Sequence, residues 1–221
     1  MKKSRKGVSV IYGTVQGKDG PTSVFLAGKK KKIKCSERIK KFYYRWKRRR
    51  IEKKIKADPH TLDEVAEYIK RVYHAREISK RSYNYQEQYK GQRVSLMVQY
   101  RPELLGEFAK IEKLKVYNEA FFKKFWDRIE EQRKRAEMIS DTEFPMDFHI
   151  YQIKISKSGR MRICMDNVWN LLDFSYSGEQ KDMKKLRRIA KEICSYYGVT
   201  KEDIEKCSKR YSFLVVTLST S

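Results

Sequence analysis

Hydrophobic residues recur at helical spacing between residues 61 and 73, where they give the clearest pattern in the chain. Thr61 and Glu64 have the spacing of a capping box, and acidic residues fill the first turn that follows Thr61. The pattern predicts an amphipathic helix that buries one stripe, made of Leu62, Val65, Ala66, Ile69, Val72 and Tyr73.

Five further segments show the helical period. One helix is predicted from Ser36, as its N-cap, to about Lys56, and another over residues 81–108, broken near Pro102. Residues 179–197 predict a helix that stops at Gly198, and Thr200 caps a shorter helix that ends near Lys209. A helix over residues 118–139 is expected to turn inward Phe122, Phe125, Trp126, Ile129 and Ala136.

Alternating apolar and polar positions predict strands elsewhere. Residues 149–155 and 160–165 predict a β-hairpin, and residues 168–177 add a third strand. Short strands over 8–12 and 23–27 flank a glycine-rich turn, and the β-branched run 213–218 predicts one more strand. The expected fold class is α+β, with N-terminal short strands and a basic helix, a helical middle, and a small antiparallel sheet with two C-terminal helices.

Positive charge is concentrated at the N-terminus. Of the formal net charge of +24, residues 1–57 carry +18, because 21 Lys and Arg stand against Asp19, Glu37 and Glu52; the other 31 basic and 25 acidic residues give +6. This change in net charge along the chain predicts a basic hairpin-and-helix arm over residues 1–57 and an α+β domain over 58–221. Such a local excess is typical of polyanion-binding segments, since neutralised phosphates release counterions.

The predicted helix from Ser36 carries the strongest functional signal. Ile39, Phe42, Tyr43 and Trp46 share one face, so we expect its first half to pack on a core and its second half to be mostly solvated. Alternatively, Tyr43, Tyr44 or Trp46 could stack on unpaired bases while the cations contact phosphates. An anionic membrane surface attracts the same mixture of residues, and a docked helix with a solvated charged face also shows it. The candidate polyanion-binding residues are Lys30, Lys32, Lys41, Arg45, Trp46, Lys47, Arg48, Arg49, Arg50 and Lys53.

The glycine-rich segment near the N-terminus is a second candidate site. Its residues are Gly17, Asp19, Gly20, Pro21, Thr22 and Ser23. Gly13 and Gly17 are separated by three residues where a Walker loop has four, and Lys18 is followed by Asp19, so a nucleotide-hydrolysing loop is not expected. Because Gly20 can adopt a positive φ and Pro21 fixes its own, turn chemistry explains the segment, with a ligand-binding or partner-binding loop as the alternative.

The residues GKDGPTSVF, 17–25, resemble the Gly-Ala-Asp-Gly-Pro-Thr-Ser-Ile-Phe signature of the β subunit of sodium-translocating carboxylic acid decarboxylases. In that family the aspartate lies inside the membrane and takes part in sodium coupling, and the match places Asp19 at its position. The uncharged runs of this chain are shorter than the roughly 18–20 residues that span a bilayer, so sodium transport is not expected. Together with RPELLGEF, PMDFHIYQIKI and YSFLVVTLS, the layout is similar to a family of uncharacterised proteins of anaerobic Gram-positive bacteria, which implies no activity.

Cysteines and histidines form no familiar metal or catalytic pattern. The cysteines lack CxxC spacing, so free, buried or half-buried thiols are expected, as in a reducing cytosol. His60, His74 and His149 show no paired spacing of metal ligands. A cysteine nucleophile would need Cys164 beside His149 across the predicted hairpin, and we favour a coincidental placement of these two residues over a functional pair. Tyr83, Tyr85 and Tyr89 suggest a partner surface, which core packing explains equally well. The four cysteines are Cys35, Cys164, Cys194 and Cys207.

These patterns favour a non-enzymatic protein, without cofactor or metal, that binds RNA or another polyanion through its basic N-terminal third. One alternative is a small-molecule or metabolic accessory protein that uses the Asp19 loop; another is an adaptor at an anionic membrane surface. The apolar run 8–12 is too short for a signal peptide, which favours a cytoplasmic location.

Overall fold

The structure is a computed structural model that describes residues 10–12, 16–17, 20–21, 35–109 and 119–219. Its strands are β1 (Val10–Tyr12), β2 (Gln16–Gly17), β3 (Gly20–Pro21), β4 (Arg76–Glu77), β5 (Phe148–Lys154), β6 (Arg160–Asp166) and β7 (Leu171–Ser177). Its α-helices are α1 (Cys35–Glu52), α2 (Leu62–Tyr73), α3 (Tyr83–Tyr100), α4 (Glu119–Met138), α5 (Met183–Tyr197), α6 (Lys201–Glu205) and α7 (Lys209–Ser219). Short 3₁₀ helices cover Pro102–Ala109 and Gln180–Asp182.

Two antiparallel sheets accompany the helices, which confirms the predicted α+β class. The larger sheet has the strand order β1-β7-β6-β5-β4, and β2 pairs with β3 in the smaller one. The predicted hairpin and third strand are confirmed as β5, β6 and β7. β1 pairs antiparallel with β7, with Val10 opposite Tyr176 and Tyr12 opposite Phe174, while its predicted neighbour 23–27 lies outside the described residues.

The chain divides into two compact units, of which the first comprises residues 1–76, 152–163 and 173–221. α1 falls in this unit together with α2, α5 and α7, and the predicted arm over residues 1–57 stays a prediction. Within this unit α2 packs on α5, and α7 packs on α1, α5 and α6. Apolar side chains from α2 and α5 fill its core, among them Leu62, Val65, Ile69, Leu186, Ile189 and Ile193.

The predicted start of α2 is confirmed in full. The Thr61 hydroxyl accepts a hydrogen bond from the Glu64 N–H at 3.2 Å, and the Glu64 carboxylate accepts one from the Thr61 N–H at 2.7 Å. These bonds satisfy two backbone donors that a helix leaves free at its N-terminus. At the other end of the predicted stripe Val72 is exposed, so the stripe is buried from Leu62 to Ile69, about two helical turns.

Gly198 ends α5 as predicted, and the structure shows why glycine is needed there. Its φ is +58°, and a Cβ on it would lie 1.9 Å from the Asp58 carbonyl oxygen. Thr200 then caps α6 through a second capping box, with Asp203 as the acidic partner, and α6 ends at Glu205 rather than near Lys209.

The predicted strand over residues 213–218 is wrong, because this segment lies within α7. Ser208 begins the helix: its hydroxyl accepts from the Tyr211 N–H at 3.2 Å and its carbonyl accepts from the Ser212 N–H at 2.9 Å. Leu214 and Val215 are buried. Burial against neighbouring helices outweighs the preference of β-branched residues for strands.

The second unit comprises residues 77–151 and 164–172 and contains α3, α4 and the 3₁₀ helix Pro102–Ala109. The predicted break near Pro102 is confirmed, since α3 ends at Tyr100. The predicted inward face of α4 is partly wrong: Ala136 is buried, Phe125 and Ile129 are half-buried, Trp126 is exposed, and the Phe122 side chain is outside the described set. The core of this unit consists of Val94, Leu96, Met97, Leu105, Ala136 and Phe144.

Candidate nucleic-acid interface

The first half of α1 presents its apolar side chains to solvent. Exposed fractions are 64% for Ile39, 72% for Phe42, 59% for Tyr43 and 48% for Trp46. We expected this half to pack on a core, and that expectation is wrong. The helix begins at Cys35, so Ser36 lies inside it rather than at its N-cap, and it ends at Glu52 rather than Lys56.

The opposite end of α1 holds it to the protein. α1 contacts α7, and Ile51 and Ile55, at and just beyond the end of α1, are half-buried. Burial and the nearby Glu52 carboxylate raise the pKa of the Tyr211 phenol of α7, which shows how close the two helices lie there. The helix is therefore anchored through its C-terminal end, while its aromatic face remains open.

Cations surround this open face. Lys41, Arg45, Arg49 and Arg50 are exposed, and Lys47 is half-buried. Among the described ion pairs, Arg48 pairs with Glu52 at 2.8 Å, and none forms at Arg45, Lys47 or Arg49. No acidic residue occurs between Ile39 and Ile51, so the surface carries uncompensated positive charge.

Aromatic rings and guanidinium groups are interleaved on the same face. The ring centroids of Tyr43 and Trp46 lie 6.0 Å apart with an interplanar angle of 30°. The Arg50 guanidinium carbon lies 5.5 Å from the centroid of the Trp46 ring, within the range of a cation–π contact. We call the exposed side chains Ile39, Phe42, Tyr43, Trp46 and Arg50 the aromatic face of α1.

The structure adds cations from α5 that sequence reasoning missed. Burial, followed by the charges of Lys47 and Arg187, lowers the pKa of Lys191. Lys191 of α5 therefore lies within electrostatic range of Lys47 of α1. Arg187 and Lys191 are four residues apart and so share one face of α5, but sequence spacing could not show that Lys47 acts on Lys191.

The remaining predicted site residues divide between described and undescribed parts of the chain. Lys53 is exposed just after α1, while Lys30 and Lys32 lie outside the described residues. In the second candidate site, Gly17 of β2 pairs with Gly20 of β3, and Pro21 lies opposite Gln16. Asp19, Thr22 and Ser23 lie outside the described residues, so the interpretation of this segment as a turn or a ligand loop stays a prediction.

His149 does not pair with Cys164. Its Nδ1 lies 2.7 Å from a Glu77 carboxylate oxygen and its Nε2 lies 2.9 Å from an Asp147 oxygen, so two carboxylates engage both ring nitrogens. A hydrogen bond from Asn167, together with His149, lowers the pKa of Asp147. The pairing with Cys164, which the sequence analysis did not favour, gives way to a carboxylate–imidazole–carboxylate arrangement of Glu77, His149 and Asp147.

The predicted tyrosine surface is mostly core. Tyr85 is buried and its hydroxyl donates to the Phe148 carbonyl at 2.7 Å, and half-buried Tyr89 bonds Asp141. Tyr83 is exposed. Among the described thiols Cys164 and Cys194 are buried, as expected, whereas Cys207 is exposed.

The described part of the chain offers no competing inorganic or membrane-spanning site. Its side chains form no group of three or more His, Cys, Asp and Glu residues that could hold a metal ion. No helix of the described residues is long and apolar enough to cross a membrane. Comparisons with models of protein families, with curated proteins and with solved structures give no match to this chain.

Proposed function

We propose that the protein binds RNA or another polyanion through α1 and the adjoining cations of α5. The observation that carries this proposal is the open face of α1, where four large apolar side chains and several unpaired cations lie in solvent on a helix anchored elsewhere. A face that merely completed the core would bury its aromatic residues, and a face that only kept the protein soluble would not need them.

Electrostatics supplies the main binding energy in this proposal. Each phosphate that a Lys or Arg neutralises releases condensed counterions, which favours binding regardless of sequence. After burial, the charges of Lys47 and Arg187 lower the pKa of Lys191, so an anion bound beside Lys191 also offsets that repulsion. Affinity should therefore fall steeply as salt rises.

The proposal is tested by fluorescence anisotropy with labelled single-stranded RNA between about 50 and 300 mM KCl. The test variant replaces Arg45, Lys47 and Arg49 with Gln. If each cation contacts one phosphate, the slope of log affinity against log salt should become shallower by about 2, at roughly 0.7 per contact on a single strand.

A matched variant controls for net charge. Arg81, Lys157 and Lys201 are exposed cations outside α1, and their replacement by Gln lowers the net charge by the same amount. We expect this control to keep most of the wild-type affinity and slope. Equal losses in both variants would show that binding follows total charge and would contradict a site on α1, as would wild-type protein that binds no polyanion at the lowest salt.

We also propose that the protein acts in the cytoplasm. Cys194 is a buried thiol outside any disulfide, and burial raises its pKa to about 12, which keeps it protonated and unreactive. Free thiols of this kind are typical of proteins in reducing compartments, where RNA is also found.

A further inference from the structure

We propose that α1 selects single-stranded nucleic acid by stacking unpaired bases on its aromatic face. This inference rests on the proposed function, because it concerns the same helix, and it adds the class of polyanion that the site prefers. The charges of α1 would serve any polyanion, whereas the exposed rings of Phe42, Tyr43 and Trp46 need a flat apolar partner.

The geometry of the rings suits successive bases. Tyr43 and Trp46 lie almost one helical turn apart, both side chains are exposed, and their ring planes are tilted by only 30° to each other. Between Ile39 and Arg50 the helix is about 17 Å long, at 1.5 Å per residue, which is enough for a few nucleotides of an extended strand. A duplex hides its base faces within the helical stack and can offer α1 only its phosphates.

Arg50 distinguishes this face from one that inserts into a membrane. It lies four residues after Trp46, on the same side of the helix, and its guanidinium group is over the Trp46 ring. Burial of this face among acyl chains would carry the guanidinium with it, which is costly. Beside a nucleic acid the same group can stack on the next base or bind its phosphate.

The test compares two variants against three probes. In the aromatic variant Phe42, Tyr43 and Trp46 are replaced by Leu, which keeps charge, helix propensity and most apolar area but removes the flat rings. In the charge variant Arg45, Lys47 and Arg49 are replaced by Gln. The probes are a single-stranded RNA of about 12 nucleotides, an RNA duplex of the same length, and heparin.

We expect the aromatic variant to bind the single strand at least about tenfold more weakly, since stacking contributes about 1–3 kcal/mol per base. Its binding of duplex and heparin should stay within about twofold of wild type, and its salt slope should not change, because no phosphate contact is lost. The charge variant should lose affinity for all three probes. Circular dichroism serves as the folding control, because the three replaced side chains are exposed.

The outcomes separate this inference from the proposed function. Unchanged single-strand binding in the aromatic variant, or an equal loss for heparin and duplex, overturns base stacking while leaving polyanion binding intact. Failure of the wild-type protein to bind any of the three probes overturns both. A third outcome would assign the aromatic face to a membrane surface and overturn base stacking. In that outcome the wild type and the aromatic variant both bind phosphatidylserine vesicles tightly and bind RNA weakly, because Leu inserts into a membrane as well as the rings do.

Discussion

Replacement of Arg93 by Lys tests what holds the second unit together. Arg93 of α3 is buried, with an exposed fraction of 4%. Its guanidinium group donates to four main-chain carbonyls around the C-terminal end of α4, at 2.8 to 3.3 Å: those of Ala136, Ile139, Ser140 and Phe144. It thereby supplies donors to carbonyls at the helix end, where the last C=O groups lack intrahelical partners, and it adds a bond to the Ser140 carbonyl, which also accepts from the Phe144 N–H at 3.1 Å.

The magnitude follows from the number of donors. A Lys at this position keeps the charge but has a single nitrogen, which cannot reach carbonyls that the planar guanidinium bonds from three separate nitrogens. If Lys retains two of the four bonds, two charge-assisted bonds are lost at about 1.5–3 kcal/mol each. We expect Arg93→Lys to lower the free energy of unfolding by about 3–6 kcal/mol, a large part of the roughly 5–15 kcal/mol typical of a domain.

Asp141 provides the control. Its carboxylate lies 3.1 Å from the Arg93 guanidinium but its side chain is 83% exposed, so their ion pair should contribute less than about 1 kcal/mol. Asp141→Asn should therefore be nearly neutral. Urea denaturation gives the overall change, and hydrogen exchange of amides in α3 and α4 reports this unit separately. If Arg93→Lys cost less than 1 kcal/mol, or if Asp141→Asn cost as much, charge rather than donor geometry would explain the burial of Arg93.

Three further substitutions, and one control, test individual features. Gly198→Ala should destabilise the protein by more than about 2 kcal/mol through positive φ and the clash with Asp58, whereas Gly91→Ala in α3, where nothing lies within 4 Å, should be neutral or stabilising; thermal melts compare the two. Thr61→Ala should lower the free energy of unfolding by about 1 kcal/mol, and a denaturation midpoint equal to wild type would contradict the capping box. Burial raises the pKa of Asp173 from 3.8 to about 6, so this carboxyl favours the folded state below about pH 4 and costs stability as the pH rises towards 6. Asp173→Asn, which can still accept the Phe174 N–H, should therefore stabilise the protein at pH 7 by up to about 3 kcal/mol and not at pH 4; equal melting-temperature shifts at both would be contrary evidence.

Local signals were sufficient for the elements that carry their own start and stop residues. The capping boxes at Thr61 and Thr200 and the stop at Gly198 are interactions between residues close in sequence, so their spacing alone predicted them. The hairpin of β5 and β6 was predictable for the same reason, since alternation and a short turn are local. The partner of β1 could not be predicted in this way, because β7 lies more than 150 residues further along the chain and no local pattern indicates which strand pairs with β1.

Whether a side chain is buried or exposed was harder to predict than the secondary structure of its residue. Periodicity says that Phe125, Trp126 and Ile129 belong to α4, but it does not say which of them meets another element, and Trp126 meets solvent. The same limit applies to His149, whose two carboxylate partners come from β4 and from the residue just before β5. Sequence spacing gave no reason to bring Glu77 within 2.7 Å of that ring.

The two largest errors concern α1 and α7. The segment 213–218 was predicted to be a strand, and the first half of α1 was predicted to pack on a core from its own periodicity. As a helix, α7 contacts α1 and leaves Ile39, Phe42, Tyr43 and Trp46 in solvent, while Ile51 and Ile55 are half-buried. The helix that α1 contacts is therefore the C-terminal one, in which Leu214 and Val215 are buried. Because the partner of α1 comes from the far end of the chain, the pattern of α1 alone could show which residues share a face but not whether that face is free to bind.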